Sequence, residues 1–306
     1  HTSKLPTFVW LYSFNFIVMK FRRLLFFFIF FFLSLKAYAQ LDTLKVVSWN
    51  VFLRPGILRD GQMNRVSHIA DYIIGCGADI VVLQEVFHKR ARKRMIQKLE
   101  RRFNYFTSQG PKSAFGVGSG VMIFSKHPMI EEKFVSYSKS RGADACAKKG
   151  VIIVKIRSPQ KEIYVAGTHL QAGSYPAAKR VRKSQLSELA NAVNSISDSS
   201  FLILAGDFNI TPDDQLFAYL SGSLKVKLPD LSPPLNATAN FSDQDLFPVD
   251  GKPVWIDYIF LKETQNGKQR KTWIQEIRSI ENERFSDHNM VCSVFEINKN
   301  SKELYD

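Results

Sequence analysis

Cysteine is almost absent from this chain: Cys76, Cys146 and Cys292 are the only three in 306 residues. That excludes a disulfide-built scaffold, permits one bridge at most, and matches no zinc-site spacing. Cys76 ends a predicted helix and Cys292 lies in an apolar strand, where each serves as a small core residue, while Cys146 sits in a polar loop as a free thiol. Acids are also scarce, with 28 Asp and Glu against 42 Lys and Arg, for a net charge of +14. No linker, repeat or low-complexity tract divides the chain, so no boundary between folded domains is marked.

The longest apolar run, Leu24 to Leu35, is short for a full membrane span. It follows a basic start at Met19 to Arg23 and precedes Ala37-Tyr38-Ala39, a small-x-small cleavage pattern. Residues 1 to 39 are therefore expected to be upstream sequence plus a secretory signal peptide cleaved after Ala39. The mature protein would be secreted or periplasmic. Removing five basic side chains (Lys4, Lys20, Arg22, Arg23, Lys36) and no acid leaves residues 40 to 306 at +9. Such a balance suits polyanions or anionic membrane surfaces, or simply a soluble basic protein. That length accommodates one large domain.

Hydrophobic periodicity predicts strands at Leu44 to Trp49, Ile80 to Gln84, Gly120 to Ser125, Phe134 to Tyr137, Gly150 to Arg157 and Ile163 to His169. Further strands are expected at Phe201 to Asn209, Trp255 to Leu261, Thr272 to Ile280 and Met290 to Ile297, with Asn266-Gly267 as a hairpin turn. Helices are expected over Gln62 to Gly75, Lys89 to Arg102 (very basic), Pro176 to Ile196, and a short stretch from Asp213. Leu228 to Pro253 is Pro-rich and irregular. Strands and helices mixed without strict alternation imply a four-layered α/β/β/α sandwich, two mixed sheets face to face with helices outside.

Polar groups terminate these apolar strands. Asn50 follows LKVVSW, Glu85 follows IVVLQ, His169 follows YVAGT, Asp207 and Asn209 follow FLILAG, Asp257 interrupts VWIDYIFL, and Asp287-His288 precedes MVCSVFEI. A charge in an apolar segment costs several kcal/mol unless paired or metal-bound, so Glu85, Asp207 and Asp257 each need a partner. Convergence on one cation and one phosphate would satisfy them together. Phosphodiester hydrolysis needs that equipment: a hard cation on a non-bridging oxygen, an activated water, and donors for the growing charge.

The motifs SWN, QE, GTHL, GDFN, IDYIF and SDH, in this order from Leu44 to Ile297, resemble those of the endonuclease/exonuclease/phosphatase superfamily. Within it the chain is most similar to the secreted neutral sphingomyelinases, through Asn50-Val51 with Leu53 and Pro55, Gln84 to Phe87, Lys149-Gly150, Gly167 to Ala172, and Arg182 with Gln185-Leu186. The resemblance implies a DNase I-like fold and a Mg²⁺-dependent phosphodiesterase, with Mn²⁺ or Co²⁺ as possible substitutes. Its substrate would be sphingomyelin or a related sphingolipid or phospholipid at a membrane surface, the products ceramide and a phosphorylated headgroup. No protein partner is implied, and a monomer is expected. A secreted nuclease or phosphoinositide phosphatase on the same core is the alternative, kept open by the basic Lys89 to Arg102 segment, for which nucleic acid would be the partner.

By the same resemblance, Glu85 is the carboxylate ligand of the metal. Asn50 adds an oxygen or orients a metal-bound water, or else merely caps its strand, and Asp287 is a second metal or orienting group or a turn aspartate. His288 is the general base held by Asp257, and His169 donates to the phosphate or protonates the leaving group. Asp207 and Asn209 position water and phosphoryl oxygens, with Asp207 the alternative base. Phe87 and Lys149 are the substrate-contacting candidates; core packing for the first and an ordinary solvated turn for the second remain the plain alternatives. One departure stands out: the segment Lys262 to Phe285 contains a single tryptophan, Trp273, and lacks the exposed apolar hairpin of secreted bacterial sphingomyelinases. Only Lys268, Arg270 and Lys271 would approach anionic headgroups there.

Overall fold

A computed structural model describes residues 43–232, 237–240, 252–263, 267–279 and 283–298; the expected signal peptide and the Asn266 half of the expected hairpin turn lie outside them. Twelve strands are present among the described residues. β1 spans Thr43–Leu53, β2 Ile80–Val86, β3 Tyr105–Phe106, β4 Met122–Ser125, β5 Met129–Ser136 and β6 Gly150–Arg157. β7 spans Glu162–His169, β8 Phe201–Asp207, β9 Leu231–Ser232, β10 Asp257–Leu261, β11 Gly267–Gln275 and β12 Met290–Ile297. The helices are α1 (Gln62–Gly75), α2 (Lys89–Leu99), α3 (Pro176–Asn194) and α4 (Gln215–Leu224).

The strands form a seven-stranded sheet, β3-β4-β2-β1-β12-β11-β9, and a five-stranded sheet, β10-β8-β7-β6-β5. Both are mixed, since β1 runs parallel to β2 and β7 to β8 while their other neighbours are antiparallel. Three apolar clusters correspond to the three interfaces of a four-layered sandwich. Val47, Trp49, Val51, Val81 and Leu83 pack against Val66, Ile69 and Met95 of α1 and α2. Ala166, Leu202, Leu204 and Phe260 pack against Leu186, Leu189 and Leu220 of α3 and α4. Val46, Val82, Val165, Ile203 and Ile259 fill the space between the sheets. Each such buried aliphatic side chain stabilises by about 1.5–3 kcal/mol.

Alternation along the strands decides what faces the seam between the sheets, because side chains two residues apart share a face. In β1, Leu44 and Val46 face the seam, and the same parity carries on to Ser48 and Asn50. In β7, Ile163 and Val165 lead to His169; in β8, Ile203 and Ala205 lead to Asp207; in β10, Ile259 leads back to Asp257. The candidate site thus continues the inter-sheet core at the end where apolar residues give way to polar ones.

Several boundaries differ from the sequence reading. β1 runs on to Leu53, and β5 begins at Met129 because Met129 to Ser136 pair with Ile156 to Gly150. β11 occupies Gly267–Gln275 rather than Thr272 to Ile280, since pairing with β12 starts immediately at Gly267 opposite Ile297. α4 begins one residue after Asp214, whose Oδ1 accepts the Leu216 N–H at 3.0 Å as an N-cap. The irregular segment after Leu228 contributes β9, and Ala239 bridges to both Val254 and His288.

Candidate active site

Two glycines make the close approaches on which the site depends. Gly206 (φ 155) allows β8 against β7 where a Cβ would come 2.0 Å from the Thr168 carbonyl oxygen, directly before Asp207. Gly120 (φ 77) makes room for the Phe87 ring, which a Cβ would meet at 2.4 Å. Three non-glycine residues, Phe52, Glu85 and Asn209, also adopt positive φ near 50° around the site, a conformation that costs free energy and is held only where the surroundings demand it.

Glu85 shows what that conformation achieves. By parity with Val81 and Leu83 it would point toward the helices, but its φ of 57 breaks the alternation and Val86 takes the helix-facing position instead. The Glu85 carboxylate accepts a hydrogen bond from Asn50 Nδ2 at 3.1 Å, and the same amide donates to Asp207 Oδ2 at 3.2 Å. Asn50 therefore joins a carboxylate of one sheet to a carboxylate of the other. Its Oδ1 accepts the Phe52 N–H at 3.2 Å, and its backbone carbonyl accepts the Ser286 hydroxyl at 2.6 Å. The last bond ties β1 to the segment carrying Asp287 and His288.

Asp257 and Asp207 face each other across the β10–β8 ladder, and His169 is the partner of Asp207 across β7–β8. His288 Nδ1 lies 2.8 Å from Asp257 Oδ2, and its Nε2 is 3.8 Å from Asp207 Oδ2. His169 Nε2 is 3.5 Å from the same Asp207 oxygen. Asp257 is fixed through its backbone by Thr238, whose Oγ1 accepts the N–H groups of Ile256 and Asp257 at 2.9 and 3.0 Å. The His288 carbonyl accepts the Trp49 indole N–H at 2.9 Å. Asn209 lies just past the strand rather than in it. Its backbone N–H donates to Asp207 Oδ1 at 2.9 Å and its Nδ2 to the Leu170 carbonyl at 3.2 Å, so a turn, not extended alternation, brings it beside Asp207.

Lys149 is buried, with Nζ 2.8 Å from the Leu170 carbonyl and 3.1 Å from Asp144 Oδ1. The plain reading of a solvated turn lysine is thereby set aside. Asp144 also accepts the Ala172 N–H at 2.7 Å, and Gln171 exchanges hydrogen bonds with the Arg141 backbone at 2.7 and 3.1 Å. Arg182 donates to the carbonyls of Gln171 and Gly173 at 2.7 and 2.6 Å, while Gln185 braces Gln171 and Lys139. Residues 139–149 are thus tied to the loop after β7. Phe87, half-buried, borders an open groove of about 500 Å³ with Arg92, Gln109 and Gly118. Cys76, Cys146 and Cys292 are all free thiols.

The electrostatics fit a cation. Burial and the nearby charge of Asp287 push the Glu85 carboxyl up to about 7. Burial likewise raises Asp287, and burial with Asp257 raises Asp207. Burial and Lys149 press His169 down to about 3, so its imidazole is neutral, and its Nδ1 has no protein partner. For His288, burial works against the charge, but Asp257, Asp287 and Asp207 outweigh it and raise the pKa well above the ordinary histidine range. Carboxylates that repel one another in a buried cleft, with Asp257 Oδ1 left without a hydrogen bond, are a donor set suited to a positive ion. Two groupings are available. Asp207, Asp257 and His288 offer ligand atoms within 4.8 Å of one another, while Glu85 and Asp287 are two carboxyls near enough for their charges to interact, with the Asn50 amide nitrogen, not its oxygen, turned toward Glu85.

Sequence reasoning missed Arg65, Thr238 and Ser286. Arg65 is buried among the apolar residues of α1 and donates to the carbonyls of Phe52 (2.7 Å), Val51 (3.4 Å) and Phe285, clamping the end of β1 to the Asp287 segment. A charge inside the apolar stripe of that helix was the available signal. Thr238 lies in the irregular segment and gave none.

The model of the Endonuclease/Exonuclease/phosphatase family matches residues 47–288, which include every candidate site residue. The chain belongs to this family. Among relatives, it is 29% identical over 253 residues to sphingomyelinase C of Bacillus cereus, covering 72% of this chain and 75% of that protein. It is 26% identical over 276 residues to a phospholipase C of Staphylococcus aureus, covering 80% and 81% respectively. A mutant beta toxin from Staphylococcus aureus, solved with bound magnesium ions, superposes with a TM-score of 0.73 at 24% identity, covering 84% of this chain and 99% of that one. The protein is a hydrolase of the endonuclease/exonuclease/phosphatase family, similar in sequence to sphingomyelinase C enzymes.

Proposed function

We propose that the protein is a Mg²⁺-dependent phosphodiesterase that hydrolyses sphingomyelin or a related sphingolipid, acting outside the cytoplasm after removal of its leader. The observation that carries this reading is the 2.8 Å contact between His288 and Asp257, set in one cleft with Asp207, His169 and the Asn50–Glu85 pair. Glu85, with Asp287, would hold the cation, because an oxygen-only and partly hydrated shell is what magnesium prefers, and Asn50, whose amide nitrogen meets the Glu85 carboxylate, would orient that ligand or a water of the shell. Bound there, Mg²⁺ supplies charge neutralisation at a phosphoryl oxygen and at the leaving oxygen.

The chain's own residues do the rest. Asp257 fixes the Nδ1 side of His288 and leaves Nε2 toward the cleft, where it accepts a proton from the attacking water. The new bond joins that water oxygen to phosphorus as the bond from phosphorus to the ceramide oxygen breaks; the alkoxide so released takes up a proton from solvent, and the protonated His288 returns its own to solvent. Asp287 is one of the carboxylates that favour the protonated His288 ring, so His288 would be the stronger acceptor of the water proton where Asp287 is neutralised as a ligand of the ion. His169, neutral by its burial, serves as a hydrogen-bond donor to a phosphoryl oxygen rather than as a stored acid. Asn209 is placed by Asp207 to do the same.

The test is a parallel assay of residues 40–306 with Mg²⁺ on sphingomyelin, a lysophospholipid, plasmid DNA and an inositol phosphate. Phosphocholine release that is lost with EDTA and in His288→Ala supports the proposal. Nicked plasmid with untouched lipid overturns it.

A further inference from the structure

The largest exposed apolar side chains are placed selectively. Ile57 is 86% exposed and Phe115 71%, the two highest values among the large hydrophobics of the described residues. Both lie on loops at the active-site end of the sandwich. Ile57 belongs to the turn Gly56–Leu58 that follows β1, three residues beyond Leu53, and Gly56 packs against His88, the residue that caps α2 directly after β2. Phe115 belongs to the loop before β4, which is fastened to the Lys149 side of the site by the Ser113 hydroxyl on the Cys146 carbonyl at 2.6 Å and a bridge between Val117 and Ala147. The two loops flank the 500 Å³ groove that Phe87 borders, with Pro55 on one side and Gly116 on the other. Leu58 (48% exposed) and Tyr175, on the loop after β7 (44%), extend the apolar rim around the cleft.

The charge of this rim has one sign. Arg59 and Lys112 are exposed on the same loops, Lys89 at the start of α2, and Lys139 and Arg141 on the loop between β5 and β6. The acids among them are already engaged: Asp60 with Arg54 at 2.7 Å and Asp144 with Lys149 at 3.1 Å. Exposed apolar tips amid exposed cations form the arrangement that a bilayer face with anionic headgroups attracts and then accommodates. The cations expected to approach headgroups, Lys268, Arg270 and Lys271, are elsewhere. β11 places Lys268 opposite Glu296, itself opposite Thr43 at the start of β1, seven residues from Asn50. At about 3.3 Å per residue that is roughly 23 Å from the site, and Arg270 is occupied by Glu296.

We propose that the rim formed by the loops around Ile57, Phe115 and Tyr175 is a membrane-docking surface for bilayers carrying anionic headgroups, with Ile57 and Phe115 entering the lipid. The proposal deepens the lipid-phosphodiesterase reading and rests on it. It puts lipid contact on a different surface from Lys268, Arg270 and Lys271.

The experiment is co-sedimentation of residues 40–306 with phosphatidylcholine vesicles that contain or lack phosphatidylserine, and no sphingomyelin. Binding to the serine-lipid vesicles is expected, with affinity about tenfold lower in the Ile57→Ser, Phe115→Ser double variant and lower also in Arg59→Gln, Lys112→Gln. Lys268→Gln, Arg270→Gln should bind as the parent does. Hydrolysis of detergent-dispersed substrate should survive in the Ile57/Phe115 variant while hydrolysis of vesicle substrate falls. Parent-like binding by the Ile57/Phe115 variant, no vesicle binding by the parent, or a dimer in sedimentation velocity that the same variant dissolves would overturn the proposal. Vesicle binding without cleavage of any sphingolipid would leave the docking surface standing and remove the substrate reading.

Discussion

His288 and Asp257 meet at 2.8 Å through Nδ1 and Oδ2, and Asp257 sits directly opposite Asp207 in the β10–β8 ladder. The proposed orienting residue of the general base is thus registered against Asp207 by backbone pairing, and its own backbone is locked by Thr238.

Asp257→Asn should keep the fold, since the strand ladder is unchanged, but lower kcat by about a hundredfold to ten thousandfold, the range over which a well-placed proton acceptor acts. The same change removes the carboxylate charge in direct contact with His288, so its imidazole should titrate at lower pH. Steady-state kinetics and the ring-proton NMR titration check the two halves separately. Unchanged kcat with a shifted titration would separate Asp257 from the proton transfer.

The Glu85 carboxyl, raised to about 7 by burial and Asp287, holds a proton over part of the neutral range in the metal-free protein. Cation binding must displace it. Mg²⁺ affinity should therefore weaken as pH falls below about 7, and calorimetry in buffers of different ionisation enthalpy should register proton release at neutral pH. Glu85→Gln should abolish both the release and the affinity.

His169 is pressed down to about 3 from an ordinary 6.5. The unfolded chain then binds the additional proton as pH drops below about 6.5, so this group's contribution to stability is present above that value and is lost as pH falls toward 3. Denaturant unfolding of the parent and of His169→Gln should diverge across that window, the parent showing the steeper loss with acid.

Gly206→Ala places a Cβ 2.0 Å from the Thr168 carbonyl at the β7–β8 contact. Neither backbone can retreat cheaply, so a loss of about 3 kcal/mol or more is expected, together with loss of activity through the displaced Asp207 and His169. Chemical denaturation measures the first and hydrolysis the second.

Most of this site was legible because strand ends announce themselves: an apolar run that stops at Asn50, His169 or Asp207 marks both the strand and the place where it meets the cleft. The parity of Val46 with Asn50 and of Ile203 with Asp207 even assigns the face. Glu85 was legible as a residue but not as a geometry, because its left-handed backbone overrides the alternation that would have pointed it at the helices. The hidden supports are those that act across the fold. Arg65 reaches four carbonyls separated from it by up to 220 positions, and Thr238 reads as one polar residue among many in an irregular stretch. The basic α2 shows the converse, a charge run that invited a nucleic-acid reading while its Arg94 and Lys98 are engaged with Ser67 and Asp71 of α1.

Locating a manganese ion by anomalous scattering in crystals of residues 40–306, with Mg²⁺ titrations of the parent and Glu85→Gln beside it, tests the central claim most directly. The account predicts one ion on the Glu85 carboxylate, in the cleft that His288 faces, and no measurable affinity in Glu85→Gln. An ion held by Asp207, Asp257 and His288 with Glu85 uninvolved, or undiminished affinity in Glu85→Gln, would contradict it.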